Sequence, residues 1–141
     1  MSTSADPAYP DFHAHLDELR RRGLLQVVDR PIDKDAELHP LVRWQFVGGM
    51  AEADRKAFLF TNIVNAQGRR YSMPVVVGAM AANRQIYSVG MGCSVEEIEG
   101  KWRHAIANPI APRLVEKADC HDVIHEGAAL QGEGRDRKSV V

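Results

Sequence analysis

Gly90-Met91-Gly92-Cys93 stands directly before Ser94, where a helix can begin. Free backbone amides at such a place can hold an anion. The run lacks the third glycine of a dinucleotide fingerprint, and Glu96, Glu97 and Glu99 follow at once. Those carboxylates suit a helix N-terminus but would repel a phosphate. The simpler expectation is a tight turn between two helices. Cys93 is a candidate nucleophile on the same turn. A helix start favours a thiolate, the glutamates oppose it, and no histidine partner follows from the spacing, so a small packed residue is expected. His13 and His15 lie two apart on a predicted helix and point to different faces, so they cannot share a metal. His121 and His125 bracket Asp122 and could ligate a metal from a helix. Their segment reads as a strand, where such positions lie about 13 Å apart. No Ser-His-Asp or paired-carboxylate pattern stands out. The residues alone therefore name no catalytic, cofactor-binding or metal-binding side chain.

These residues depend on the elements that hold them. Residues 1–10, with Ser, Thr, Asp and two Pro, read as a disordered lead-in. Asp11 can cap a helix with the stripe Phe12, Leu16 and Leu19. Arg20-Arg21-Arg22 suit its C-terminus, and Gly23 supplies a left-handed stop. Leu24 to Val28 is a short strand, ended by Asp29-Arg30-Pro31. Asp33 or Asp35 opens a second helix with Leu38, Leu41, Val42, Gln45 and Phe46 inward. Pro40 falls in its first turn, and Gly48-Gly49 breaks it. Ala57 to Val64 reads as one strand. A turn at Asn65-Ala66-Gln67-Gly68 leads into Arg69 to Tyr71. Pro74-Val75-Val76-Val77-Gly78 is the most continuous β-branched run and the predicted central strand.

Asn83 can cap a short helix through Ile86, Tyr87 and Val89, ending at Gly90-Met91-Gly92. Ser94-Val95-Glu96-Glu97 has the form of a capping box. The helix after it is expected to bury Val95, Ile98, Trp102 and Ile106 and to stop at Asn108-Pro109. Trp44, Trp102, Phe46, Phe58 and Phe60 are expected in the core. Asp122 to Glu126 alternates like a strand, Gly127 to Gly134 is small and loose, and no internal repeat occurs. Alternating helices and strands imply a compact α/β domain of about three or four strands.

Composition narrows the function classes. A chain of 141 residues, 45% hydrophobic and 26% charged, is globular in composition. Eighteen basic residues against nineteen acidic give a net charge of −1, so no basic patch argues for nucleic acid or an anionic membrane. Two cysteines, Cys93 and Cys120, make no disulfide framework and fit a reducing compartment. The N-terminus lacks the blocks of a signal peptide, and no run of about 18 apolar residues occurs. The expectation is a soluble, cytoplasmic protein with no nucleic-acid or membrane partner. Asp136-Arg137-Lys138-Ser139-Val140-Val141 is the translation of GAT CGG AAG AGC GTC GTG, the start of a common short-read sequencing adapter. Six codons in frame are hard to match by chance. Residues 135–141 are thus expected to be an artefact and the chain a fragment; the alternative is a genuine charged tail, as polar C-termini are common.

The order of segments resembles the N-terminal domain of the UbiD family of decarboxylases. The resemblance is carried by Phe12-x-x-x-Leu16-x-x-Leu19 with Arg22-Gly23-x-Leu25, then by Val27-Val28-Asp29-Arg30-Pro31-Ile32 with Glu37-Leu38. Phe58-Leu59-Phe60-Thr61-Asn62-Ile63 follows. Next come Pro74-Val75-Val76-Val77-Gly78 and Asn83-Arg84-x-Ile86-Tyr87-x-x-Gly90-Met91-Gly92. Trp102 to Pro112 and Val123 to Leu130 are similar to the linker into the family's next domain. Each piece is weakly specific; their order and spacing together are much stronger, over residues 11–134.

The resemblance implies an α/β fold: a small N-terminal domain with a short mixed sheet flanked by helices. With residues 1–10 read as lead-in and 135–141 as adapter, it makes 11–112 the domain and 113–134 the linker and first strand toward a cofactor domain. It implies a reversible, non-oxidative decarboxylase of aromatic or α,β-unsaturated carboxylic acids, a homo-oligomer when intact, with a role in aromatic acid metabolism. The family's cofactor is prenylated FMN, held with a divalent metal, typically manganese, and potassium. A Glu-Arg-Glu set handles the proton and orients flavin and substrate. Those ligands and that set lie in the family's central domain, and no glutamate or arginine here stands in the matching context. No catalytic, cofactor-binding or metal-binding residue is carried over. The fragment is expected to bind no cofactor and to be inactive alone, with the missing cofactor domain as its partner. Two rival expectations are a separately encoded structural or interaction subunit of such an enzyme and an unrelated small-anion-binding α/β module.

Overall fold

Asp11 opens the first helix, α1 (Phe12–Arg21), by accepting a hydrogen bond from the Ala14 amide at 2.8 Å. The fold is taken from a computed structural model, which describes residues 11–112, 114–117 and 127–128. The chain divides into a unit of residues 1–107 and a second of residues 108–141, and the elements named below all lie in the first. The lead-in of residues 1–10, His121, His125, the predicted strand from Asp122 to Glu126 and the adapter-like residues 135–141 lie outside the described residues.

The predicted start and stop of α1 both form. At its end, Leu24 N–H donates to the Leu19 carbonyl at 2.8 Å and Gly23 N–H to the Arg20 carbonyl at 3.0 Å. This paired closure needs a left-handed residue between them, and Gly23 supplies it at φ +70°. Strand β1 (Leu25–Val28) follows, then β2 (Ile32–Asp33). Neither aspartate proposed to open the second helix caps it: the N-cap is Glu37, without a side-chain cap bond, and Asp33 holds the turn that precedes it. The Asp33 carboxylate accepts from the amides of Asp35 and Ala36 at 2.7 and 3.1 Å. Glu37 reaches back to the Asp33 amide at 2.9 Å. Helix α2 (Leu38–Val47) then runs to Gly48 with Pro40 in its first turn.

Residues 57–64 form two strands, not the single strand predicted. Strand β3 (Ala57–Phe60) ends at Thr61-Asn62, and β4 (Ile63–Val64) begins a second sheet. The parallel partner breaks at the same level: β1 pairs β3, and β2 pairs β4. Four residue steps separate Val28 from Ile32 but three separate their partners Phe60 and Ile63, so the first ladder does not run on in register. Instead Thr61 N–H donates to Val28 O at 3.1 Å, Ile32 N–H to Asn62 O at 3.0 Å, and the Asn62 amide side chain to Asp29 O at 3.1 Å. The hairpin turn at 65–68 forms as expected. Asn65 Oδ1 accepts from the Gln67 and Arg69 amides, and the turn delivers β5 (Arg70–Tyr71) antiparallel to β4.

The predicted central strand is an edge strand. The first sheet has the order β1-β3-β6, with β6 (Val75–Val77) antiparallel to β3. A β-branched run reports a strand that packs on both faces, not its rank in the sheet. Here Val75 and Val77 pack against the cluster of Ile32, Val42, Phe60 and Ile63 on the α2 side. Val76 packs against the opposite cluster of Leu16, Leu19, Leu25, Ala57, Ile86 and Val89. The first sheet is thus a layer between α2 on one face and α1 with α3 (Arg84–Met91) on the other. The fold is α/β with two small mixed sheets of three strands each, a division the sequence reading did not foresee.

The last helix departs most from expectation. Ser94 N–H does donate to Glu97 Oε2 at 2.8 Å, but the Glu97 amide turns to the Ser94 carbonyl at 3.2 Å, so half of the capping box forms. Helix α4 (Ile98–Ala107) ends before Asn108-Pro109 as predicted, yet buries none of its residues. Val95 and Ile98 are half-buried, Trp102 is 49% exposed and Ile106 74% exposed. Trp44, at 63% exposure, and Phe46 also stand outside the core, while Phe60 is fully buried and Phe58 half-buried. An amphipathic stripe is buried only where another apolar surface meets it. The tethers from α4 to α3 are polar: Trp102 Nε1 donates to the Tyr87 hydroxyl, and Lys101 Nζ to the Met91 carbonyl.

Candidate functional site

The richest gathering of polar groups surrounds the first turn of α3. Asn83 caps it: its Oδ1 accepts from the Ile86 amide at 2.7 Å, and its Nδ2 donates to Arg55 O at 2.6 Å. The residues before β3 are held from the other side. Gln45, buried on α2, receives the Lys56 amide at 2.9 Å and donates to the Lys56 carbonyl at 3.0 Å. A short helical turn, Glu52–Asp54, brings Glu52 over α3. Its Oε1 accepts from the Arg84 amide at 3.0 Å and lies 3.5 Å from Arg84 Nε.

Two clefts share Glu52, Asn83 and Arg84. One, of about 340 Å³, is walled by Phe46, Arg55 and Tyr87. The other, of about 390 Å³, reaches Gln85, Val95 and Glu96. Arg55 lays its guanidinium 5.2 Å over the Phe46 ring, and its Nε is buried with no hydrogen-bond partner. The charge is balanced, Arg55 and Arg84 against Glu52 and Glu96. The Glu52 carboxylate already takes the helix amide that an anion would use. Sequence reading missed this arrangement because Glu52 and Arg55 lie about 30 residues from Asn83. The one available signal was the Asn83 cap, which marks a helix start but not what faces it.

The turn at Gly90 to Ser94 behaves as the simpler expectation held. Helix α3 runs through Gly90 to Met91 and ends at Gly92. The Gly92 amide donates to Val89 O at 3.1 Å and the Cys93 amide to Ser88 O at 3.2 Å, while the Ser94 amide is taken by Glu97. No amide of residues 92–94 remains for an anion. The Ser94 amide, and then its hydroxyl, hold the Glu97 carboxyl below the usual carboxylate range. Cys93 is a half-buried free thiol in an open cleft with Glu97, Lys101 and His104. Sequence reading placed no histidine there. His104 lies eleven residues on and reaches the cleft on the face of α4 that also carries Gly100 and Lys101.

The other histidines separate as predicted. His13 is exposed, and His15 is buried with Nε2 2.8 Å from the Ala79 carbonyl. Among the described residues no group of three or more His, Cys, Asp and Glu is placed to hold a metal ion. The Arg84 and Ile86 amides at the start of α3, like the amides at 92–94, already have acceptors. Among the same residues no helix is long and apolar enough to cross a membrane.

A family model described as the 3-octaprenyl-4-hydroxybenzoate carboxy-lyase N-terminal domain, that of UbiD, matches residues 16–106. The matched stretch runs from within α1 to the last turn of α4 and takes in both sheets. It is shorter than the resemblance read over residues 11–134. Neither the curated proteins nor the solved structures give a match.

Proposed function

This chain belongs to the UbiD carboxy-lyase family through its N-terminal domain, and from that premise we propose that it is the N-terminal part of a non-oxidative decarboxylase of aromatic or α,β-unsaturated carboxylic acids. The match over residues 16–106 carries the reading, and family membership sets aside an unrelated anion-binding module. In this proposal prenylated FMN, with manganese and potassium, supplies the electron sink from a separate cofactor domain of the same polypeptide. This domain's own work is structural. It packs on the cofactor domain and helps to shape the site in a cytoplasmic homo-oligomer. Two features support a packing role. Glu52 and Asn83 already take the Arg84 and Ile86 amides at the start of α3, and α2 and α4 present Trp44, Val47, Trp102 and Ile106 to solvent.

The direct test is to titrate the purified chain with prenylated FMN in the presence of manganese and potassium, following bound flavin by equilibrium dialysis. No stoichiometric binding and no release of carbon dioxide from an aromatic acid are expected. Stoichiometric binding overturns the structural role. Sequencing the source DNA across codons 130–141 tests the fragment separately. A reading frame that continues past Gly134 into a cofactor domain supports it. A stop codon after Val141, with a co-purifying second polypeptide, favours a separately encoded subunit.

A further inference from the structure

We draw no further inference here: the strongest candidate, the paired clefts at the start of α3 lined by Phe46, Glu52, Arg55, Asn83 and Arg84, carries nothing, because Glu52 already occupies the helix amide, Arg55 is only partly buried, and no second observation there points to a ligand.

Discussion

Val89 and Ile106 both sit on the apolar stripe of a helix and end in opposite environments. Val89, in α3, is buried in the cluster that joins α1 to the first sheet, whereas Ile106, in α4, is 74% exposed. The helices have comparable lengths, 8 and 10 residues. They differ in what their stripes meet. The stripe of α3 faces Leu16, Leu19 and Ala57, apolar groups already fixed by α1 and β3. That of α4 meets α3 through two polar tethers. Periodicity therefore reports that a helix has an apolar side; burial requires a second surface of matching character. In the proposed enzyme, the α3 side stabilises this domain and the α4 side awaits the next one.

The sharpest way to break this contrast is to cut both regions. Phe60→Ala removes a fully buried ring from the central strand and should cost about 3–5 kcal/mol. Ile106→Ala should change stability by less than about 0.5 kcal/mol. Urea denaturation of the two variants reads the difference. A cost for Ile106→Ala near that of Phe60→Ala would abolish the distinction. If Phe60→Ala fails to fold, Ile63→Val, in the same cluster, should still cost about 0.5–1.5 kcal/mol.

A middle-sized effect lies at the polar join between the layers. Gln45→Ala leaves the Lys56 amide and carbonyl without their side-chain partner and should cost about 1–3 kcal/mol. Gln45→Leu should cost a similar amount despite its greater apolar area. A neutral Gln45→Leu would mean that α2 is held to β3 by packing alone. Below it comes Asn83→Ala, which removes the cap of α3 together with the bond to Arg55 O. About 1 kcal/mol is expected, read from the same denaturation curves. An Asn83→Ala variant as stable as the parent would show that α3 is ordered by its apolar face without the cap.

Local signals in the sequence were legible wherever one residue decides the outcome within a turn or two. Asp11 and Asn83 cap, Gly23 stops α1, and Asn65 to Gly68 turns, because each acts on backbone a few positions away. The break at Thr61-Asn62 was illegible because it shows only against the partner strands, where Val28 to Ile32 is one residue longer than Phe60 to Ile63. The rank of β6 and the exposure of Trp44 were hidden for the same reason, as both depend on which surfaces meet. The turn at Gly90 to Ser94 was readable since its amides are satisfied within four residues. The groove of Glu52, Arg55 and Asn83 was not, because only the tertiary fold brings the turn at Glu52–Asp54 beside α3.

The smallest expected effect lies on the solvent side of α1, one residue before the buried Leu19. Glu18 accepts from Arg21 at 2.6 and 2.7 Å and from Arg22 at 2.6 Å. The Arg21 bond first, and then that of Arg22, hold its carboxyl down at about 2, from an ordinary 4.5. Because the folded value is the lower, the bonds favour the fold fully above pH 4.5. Their contribution fades as pH falls from there through about 2. The cluster lies at the surface, so added salt should weaken it. Arg21→Gln removes the larger cause and should move the Glu18 titration upward, leaving Arg22 to hold part of the depression. Carbon-detected NMR titration of the Glu18 carboxyl reads this directly. A parent value near 4.5 would mean that the arginines spread into solvent, and that α1 is held by its buried stripe and caps alone.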